Sequence, residues 1–247
     1  MANLVVDIGN TFTKLALFEG DELISVNHIP GEEDNQIAQY INSLSAQKAI
    51  LSSVKKEKAA WQLVLADKMP VTHFDRGMAV GVNNQYLTPQ TLGLDRLAAI
   101  TGAVHLYPGK SSLVIDGGTC ITYDYVDAGA NYFGGSISPG LKMRYRALNY
   151  YTAALPVVET DTGFTAQSGT DTITSIRSGV QNGIKHELEG FIKDYKKNGE
   201  DLNVILTGGD ANFFDTLLKN SIFAPCIKIE PLLVLKGLNA AIQKQND

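Results

Sequence analysis

Two stretches of the chain repeat one pattern of apolar and polar positions. The first, LVVDIGNT at residues 4–11, is an apolar run, an aspartate and a glycine turn, and apolar and polar residues then alternate as far as Val26. The second, LVIDGGTC at 113–120, is followed in the same way as far as Ile137. Short apolar runs and alternation between Gly and Asp turns are typical of β-strands. Each copy predicts three consecutive strands, and the repeat predicts two homologous lobes.

Helical and strand patterns alternate after each copy. Helices are predicted over 34–45, 55–68, 95–107, 141–155, 172–197, 211–219 and 231–243, and strands over 49–51, 71–74, 202–206 and 226–229. Segment 157–171 has no periodicity, so it is predicted to be a long loop that is either mobile or functional. This alternation favours an α/β protein with lobes at 1–108 and 109–247.

Composition narrows the function classes. The chain has 247 residues, of which 44% are hydrophobic and 19% charged, and its net charge of −5 argues against nucleic-acid binding. Apolar runs are too short for a membrane helix, and the first strand begins too early for a signal peptide, so we expect a cytoplasmic protein without membrane contact. The two cysteines, Cys120 and Cys226, are too far apart for a disulfide or metal motif. We expect both to be buried apolar residues.

The first turn has the chemistry of a phosphate-binding loop. Gly9 permits a close approach of the backbone, Asn10 and Thr11 add donors, and Lys14 supplies a positive charge. Gly117, Gly118 and Thr119 are the matching residues of the second turn. Either turn alone could be an ordinary connection between strands. If the two turns face each other across a cleft, they could hold the two ends of a triphosphate while Asp7 and Asp116 organise the metal ion.

A third turn follows the predicted strand 202–206, in the sequence LTGGD at 206–210. Gly208 and Gly209 would let an adenine or ribose lie close to the backbone, beside the first amides of the next helix. A structural alternative is a simple strand-to-helix connection in which Asp210 is the N-cap.

These three turns together resemble the superfamily of acetate and sugar kinases, heat-shock chaperones and actin. The motifs DIGNTFTK, YLTPQTLGLDR, DGGT, GGSISPGL and GTDTITSIRSGVQNG, in this order over most of the chain, resemble the type III pantothenate kinases more closely. The chain departs from the expected pattern at Cys120, where alanine is common, and at Asp171, where asparagine is usual. The resemblance implies two duplicated ribonuclease H-like lobes. Each would be a mixed five-stranded sheet flanked by helices, with the nucleotide in the cleft between them.

The resemblance also implies a reaction, the transfer of the γ-phosphoryl group of ATP to pantothenate in the first step of coenzyme A biosynthesis. Asp95 matches the general base of the family. From the residues alone, Asp95 could instead be the N-cap of a helix, and Arg96 could be a solvated helix residue.

The implied binding residues fall into three groups. The ATP site would comprise Asp7, Ile8, Gly9, Asn10, Thr11, Lys14, Gly118, Thr119, Thr207, Gly208 and Gly209. The pantothenate site would comprise Tyr86, Gly93, Leu94, Asp95, Arg96 and Thr172. Asp116 would bind a monovalent cation, potassium or ammonium, and magnesium would accompany ATP.

The resemblance further implies a homodimer, for which Tyr145, Tyr150 and Tyr151 could form a contact face; their structural alternative is core packing. Two other functions stay open. A sugar or acetate kinase would use the same turns with another acceptor pocket, and a nucleotide-binding regulator would keep the fold without turnover.

Overall fold

The elements are those of a mixed α/β protein. The computed structural model describes residues 2–53, 59–196 and 201–244. Its strands are β1 (Ala2–Ile8), β2 (Phe12–Glu19), β3 (Glu22–Pro30), β4 (Lys48–Ser53), β5 (Val71–His73), β6 (Asn83–Asn84), β7 (Ser111–Gly117), β8 (Cys120–Val126), β9 (Asn131–Pro139), β10 (Leu202–Gly208) and β11 (Ile227–Ile229). Its α-helices are α1 (Asp34–Ser43), α2 (Trp61–Lys68), α3 (Leu94–Leu106), α4 (Leu141–Tyr150), α5 (Thr172–Arg177), α6 (Gly183–Tyr195), α7 (Ala211–Leu218) and α8 (Leu233–Gln243).

The first sheet has the strand order β3-β2-β1-β4-β5. β1 and β3 are antiparallel to β2, whereas β4 and β5 run parallel to β1. Alternate residues of these strands, such as Leu4, Val6 and Leu51, form a buried core with α1 and α2. The residues between them face the other side of the sheet, which is covered by α3 and α8.

The second sheet repeats this order. It runs β11-β10-β7-β8-β9-β6, so β9, β8, β7, β10 and β11 occupy the places of β3, β2, β1, β4 and β5. Its core contains Leu113, Ile115 and Leu206 together with apolar residues of α4 to α7. The predicted class of two duplicated α/β lobes is confirmed. A sixth strand, β6, adds to the predicted five and pairs with Asn131 and Tyr132.

The chain divides into two units. One contains Met1–Pro108, Ala130–Tyr132 and Leu232–Asp247, and the other contains Gly109–Gly129 and Phe133–Pro231. The lobe bounds at 1–108 and 109–247 stay a prediction. In the part of the chain described here, no helix has both the length and the apolar character needed to cross a membrane.

The helices predicted over 55–68, 141–155 and 172–197 differ from the structure, and the first of them begins only at Trp61. The helix predicted over 141–155 ends at Tyr150, where side chains take over the hydrogen bonds of the backbone: the Thr152 hydroxyl donates to the Leu148 carbonyl, and the Asn149 amide donates to the Leu155 carbonyl. The helix predicted over 172–197 contains a π-helical turn, Ser178–Asn182. Glycine at 179 and 183 weakens the α-helix there. Lys197 and residues 55–58 of the helix predicted over 55–68 lie outside the described residues.

The loop at 157–171 has no regular structure, as predicted, and packs against the π-helical turn. The side-chain amide of Asn182 donates to the carbonyls of Ala166 and Gln167, and Gln181 donates to the carbonyl of Asp161. The prediction of buried cysteines is wrong, because Cys120 and Cys226 are both partly exposed. Cys120 is the first residue of β8, and Cys226 is the last residue of a short helical turn.

Candidate active site

The first turn connects β1 to β2 through residues 9–11. The Gly9 amide donates to the Phe12 carbonyl at 3.0 Å, which closes the turn, and Asn10 and Thr11 are exposed. Ile8 is buried in the core below, on the opposite face of the sheet from Asp7. The turn therefore presents backbone and polar groups to solvent while its strand is fixed by the core.

Asp7 is a buried carboxylate at the end of β1, only 8% exposed. The pKa of Asp7 is raised to about 6, mainly by burial; the charge of Lys14 lowers it and the charge of Asp95 raises it. Lys14 lies directly opposite Asp7 in β2. The structure thus brings Asp7, Lys14 and Asp95 of the first unit into electrostatic range of one another.

Asp95 lies in the first turn of α3, where its carboxylate accepts a hydrogen bond from the Arg96 amide at 2.8 Å. The N-cap position belongs to Gly93, so the alternative in which Asp95 is the N-cap is wrong. α3 packs against β4 on the Asp7 face of the first sheet. Asp95 is half-buried, and its position suits a carboxylate that works beside Asp7.

Arg96 is buried, at 7% exposure, so the alternative of a solvated helix residue is also wrong. Its guanidinium lies over the Tyr86 ring, 5.8 Å from the ring centroid. Tyr86 in turn stacks on the fully buried ring of Tyr132, with centroids 6.4 Å apart and 9° between the planes. Sequence reasoning missed Tyr132, because the pairing of β6 with residues 131 and 132 is what brings it to Tyr86.

The second turn connects β7 to β8 through Gly118 and Thr119, which are both exposed. The Gly118 amide donates to the Cys120 carbonyl at 3.0 Å. The backbone of Gly140 packs directly on this turn: a Cβ at 140 would lie 2.2 Å from the Gly118 carbonyl oxygen and 2.5 Å from that of Thr119. Through Gly140, the GGSISPGL motif therefore packs against the second turn, and both belong to the same unit.

A polar network fixes this supporting segment. The Glu187 carboxylate accepts hydrogen bonds from Tyr123 at 2.8 Å, from Ser138 at 2.5 Å and from Arg144 at 2.5 Å. Arg144 also donates to the carbonyl of Pro139 at 2.8 Å. Although burial pushes it upward, these hydrogen bonds hold the pKa of Glu187 below its usual range.

The third turn approaches the second turn very closely. Thr207 is buried and lies beside Asp116 in the pairing of β10 with β7. Gly208 has a φ of 83°, and a Cβ there would lie 2.2 Å from an Asp116 carboxylate oxygen, so only glycine fits. Asp210 occupies the N-cap position of α7, but its side chain makes no capping hydrogen bond. Burial raises the pKa of Asp210.

Thr172 is an exposed residue at the first position of α5. Asp171 is the N-cap of that helix, and its carboxylate accepts hydrogen bonds from the amides of Ile173 and Thr174 at 2.9 and 3.0 Å. Aspartate and asparagine are equally good in this position, so the departure at Asp171 preserves the local structure.

Sequence reasoning also missed Ser52. The strand predicted at 49–51 extends to Ser53 in β4, and this extension places Ser52 beside Asp7 in the pairing of β4 with β1. The side chain of Ser52 is buried, at 1% exposure. The sequence signal that could have found Ser52 is the pair of serines directly after the apolar strand. They lie at the same end of the sheet as Asp7.

The chain was compared with known proteins at the level of sequence and fold. The family model for type III pantothenate kinase matches residues 3–194. A Bacteroides fragilis protein named type III pantothenate kinase is 42% identical over 248 residues, which cover 99% of this chain and 98% of that protein.

Solved structures share the fold at low identity. A Campylobacter jejuni protein assigned to the Baf family of transcriptional activators is 21% identical with a TM-score of 0.62, and the match covers 98% of each chain. The ROK hexokinase of Thermus thermophilus is 16% identical with a TM-score of 0.52, and all of both chains is covered.

Proposed function

This chain belongs to the type III pantothenate kinase family, and we propose that it transfers the γ-phosphoryl group of ATP to the primary hydroxyl of pantothenate, with Asp95 as the general base. The reaction is the first step of coenzyme A biosynthesis, and we propose that the enzyme works in the cytoplasm with its ATP. The observation that carries the proposal is the position of Asp95 in the first turn of α3, close enough to raise the pKa of the buried Asp7.

Within the first unit, Asp7 to Thr11 and Lys14 would bind the phosphates, and Tyr86 with residues 93–96 would bind pantothenate. The Arg96 guanidinium keeps a fixed fork of donors over the Tyr86 ring, which suits a carboxylate or carbonyl group of the substrate. The Asp95 carboxylate would accept the proton of the attacking hydroxyl. Positioning and charge neutralisation supply most of the rate in phosphoryl transfer, and a base contributes about 10²–10⁴-fold.

Within the second unit, Gly118 and Thr119 would bind phosphate, and Thr207 to Gly209 would bind the nucleoside. Asp116 would bind potassium or ammonium. The close fit of Gly208 against Asp116 supports this assignment, because it holds the carboxylate in one place. Thr172 at the start of α5 is assigned to the pantothenate site by its motif alone.

The residues present fit a magnesium ion. In the described ranges no group of three or more His, Cys, Asp or Glu side chains could hold a metal by itself. Mg²⁺ does not need one, since it usually takes one or two carboxylates, substrate phosphates and several waters. Asp7, a desolvated carboxylate beside the phosphate turn, is the residue that would hold it. When bound, magnesium neutralises the charge that develops on the phosphates.

We also propose two lobes at 1–108 and 109–247 and a homodimer. At the end of α4, Tyr150 and Tyr151 are 80% and 82% exposed and pack edge to face with centroids 4.8 Å apart, which suits an aromatic contact face. Tyr145 is buried in the core. Sedimentation of the purified chain tests the dimer, and a monomer at micromolar concentration would contradict it.

The test of the function is release of ADP from ATP, magnesium and pantothenate by the full chain, in potassium and in sodium. We expect release only with pantothenate and faster with potassium. Asp95→Asn should lower kcat by about 10²–10⁴-fold with ATP binding unchanged. Asp34→Asn, at the first-turn aspartate of α1, is the control and should be fully active. Full turnover by folded Asp95→Asn would refute the assignment of the base.

Two other results would point elsewhere. ADP release with glucose or acetate, but not with pantothenate, would favour a sugar or acetate kinase. ATP binding without release of ADP under any condition would favour a nucleotide-binding regulator.

A further inference from the structure

Ser52 lies in a row of polar side chains across the first sheet. β1 pairs with β2 and with β4 so that Lys14, Asp7 and Ser52 are direct neighbours. Residues that pair directly face the same side of a sheet. The core side of β1 and β4 is taken by Val6 and Leu51, so this row lies on the side that α3 covers, and Asp95 lies in the first turn of that helix.

The hydroxyl of Ser52 has no hydrogen-bond partner among the described residues, although it is fully shielded from solvent. A buried polar group without a partner is costly in a folded protein, and such groups occur where a water, an ion or a substrate completes the site. A hydroxyl can donate one hydrogen bond and accept two. The Ser52 hydroxyl can therefore both accept and donate hydrogen bonds beside a buried carboxylate.

The duplication gives an independent argument. β4 and β10 occupy equivalent places in the two sheets, and in the second sheet it is Thr207 that pairs with Asp116. Ser52 therefore stands to Asp7 as Thr207 stands to Asp116, and both hydroxyl residues are 1% exposed. Each copy of the turn carries a carboxylate on one strand and a hydroxyl on its parallel neighbour. In the second copy, the Gly-Gly motif that follows Thr207 makes this hydroxyl residue recognisable in the sequence. Ser52 in the first copy is not followed by such a motif.

We propose that Ser52 is a further binding residue of the magnesium-nucleotide site, and that its hydroxyl accepts a hydrogen bond from a water molecule bound to the magnesium ion held at Asp7. Magnesium keeps several waters when it binds to proteins, and these waters donate hydrogen bonds, so they need acceptors in fixed places. The inference deepens the proposed function and rests on it, since it assumes that Asp7 belongs to the ATP site.

The test is calorimetric titration of a non-hydrolysable ATP analogue, with magnesium and with EDTA, into the full chain carrying Ser52→Ala. We expect the affinity for the magnesium complex to fall about five- to twentyfold, the value of one hydrogen bond, with no change for the metal-free analogue. The melting temperature of the ligand-free variant should be equal to that of the wild type or higher, because the substitution removes an unsatisfied buried group.

Ser112→Ala is the matched control. Ser112 is also a buried serine without a hydrogen-bond partner in the described chain, but it lies near the start of β7, at the end of the strand away from the turn. Its removal should leave binding of both forms of the analogue unchanged. Ser52→Thr reproduces the arrangement of the second copy and should retain most of the affinity; it also serves if Ser52→Ala does not fold.

The outcomes separate this inference from the function itself. Wild-type affinity of Ser52→Ala for the magnesium complex would overturn the role of Ser52, and so would an equal loss for the metal-free analogue. A wild-type chain that binds the analogue but does not phosphorylate pantothenate would refute the proposed function. The role of Ser52 would then still be decided by the titrations of the analogue.

Discussion

The two turns share their strand order but differ in what surrounds them. Around Asp7 the neighbours are charged or polar side chains, namely Lys14, Asp95 and Ser52. Around Asp116, Thr207 is the paired neighbour in β10, and the backbone packs closely: Gly208 approaches the carboxylate and Gly140 approaches the following turn. The two copies thus share a scaffold and differ in their surroundings. The first gathers charged and polar side chains, and the second packs backbone closely around its turn.

The turns also differ in length. Residues 9–11 separate β1 from β2, whereas only Gly118 and Thr119 separate β7 from β8. A two-residue turn has few conformations, and close packing by glycine restricts it further. The longer first turn exposes Asn10 and Thr11. If this comparison is right, substitutions should damage the second turn through packing and the first through charge.

The largest effect is expected at Gly208. Gly208→Ala must place a Cβ against Asp116 with a φ of 83°, which should destabilise the protein by roughly 2–5 kcal/mol through overpacking and left-handed strain. Urea unfolding measures this. Gly209→Ala, where a Cβ would meet nothing within 4 Å, is the control and should unfold like the wild type. Equal stability of the two variants would remove the packing side of the comparison.

Removal of the Asp7 charge should stabilise the protein, in contrast to the substitution at Gly208. Its pKa is raised from 3.8 to about 6, so the folded state binds a proton more tightly, and stability falls as the pH rises through this window. Asp7→Asn removes the buried charge and should stabilise the metal-free protein at pH 8 by about 1–3 kcal/mol, with no gain near pH 4. Catalysis should be lost.

Urea unfolding at both pH values, in EDTA, measures the gain. Asp67→Asn, at an exposed aspartate of α2, is the matched substitution and should change nothing. A loss of stability in Asp7→Asn at pH 8 would mean that Asp7 is satisfied as an anion, and the contrast between the two turns would then be mistaken.

Much of the fold could be predicted from the sequence because its signals are local. The alternation from Thr13 to Phe18 and the apolar run at 113–115 each specify a strand without knowledge of any partner. β6 could not be predicted, since Asn83 and Asn84 have no strand pattern and become a strand only by pairing with residues 131 and 132. The π-helical turn was missed because its side-chain bonds reach a distant loop.

The candidate site divides in the same way. Asp7, Asp95 and Asp116 stand in motifs that are contiguous in the chain, so they could be chosen from the sequence. Ser52 and Tyr132 have no motif of their own. Their positions depend on the register between strands that are far apart in sequence, and register follows from the whole sheet. Sequence reasoning therefore found the charged groups and missed their uncharged neighbours.

A smaller effect is expected from the network that supports the second turn. Glu187→Gln leaves Arg144 without its charged partner and should destabilise the protein by about 1–3 kcal/mol at pH 7. Because the pKa of Glu187 is lowered, its contribution is present above the ordinary value of 4.5 and is lost as the pH falls through the folded value. Urea unfolding should show the two proteins converging below pH 4.5.

A measurement of nucleotide binding tests this prediction further, because the network reaches the second turn through Pro139 and Gly140. Glu187→Gln should weaken binding of the nucleotide with and without magnesium alike, unlike Ser52→Ala. A stability loss with unchanged nucleotide affinity would limit the network to a structural role, and packing around the second turn would then have no link to its ligand.

The smallest effect is expected at the other end of the same two strands. Lys110 and Asp201 form an ion pair just before β7 and β10, and their side chains are 52% and 77% exposed. Solvent screens such a pair, so Asp201→Asn should leave the melting temperature and the nucleotide affinity unchanged at moderate salt. Scanning calorimetry and titration of the nucleotide measure both.

Asp201→Asn and Glu187→Gln each remove one carboxylate partner of a cation in the second unit. A difference in their effects therefore isolates the role of burial and position from the loss of a charge. Equal effects would mean that distance from the turn does not matter and that net charge alone governs the second copy.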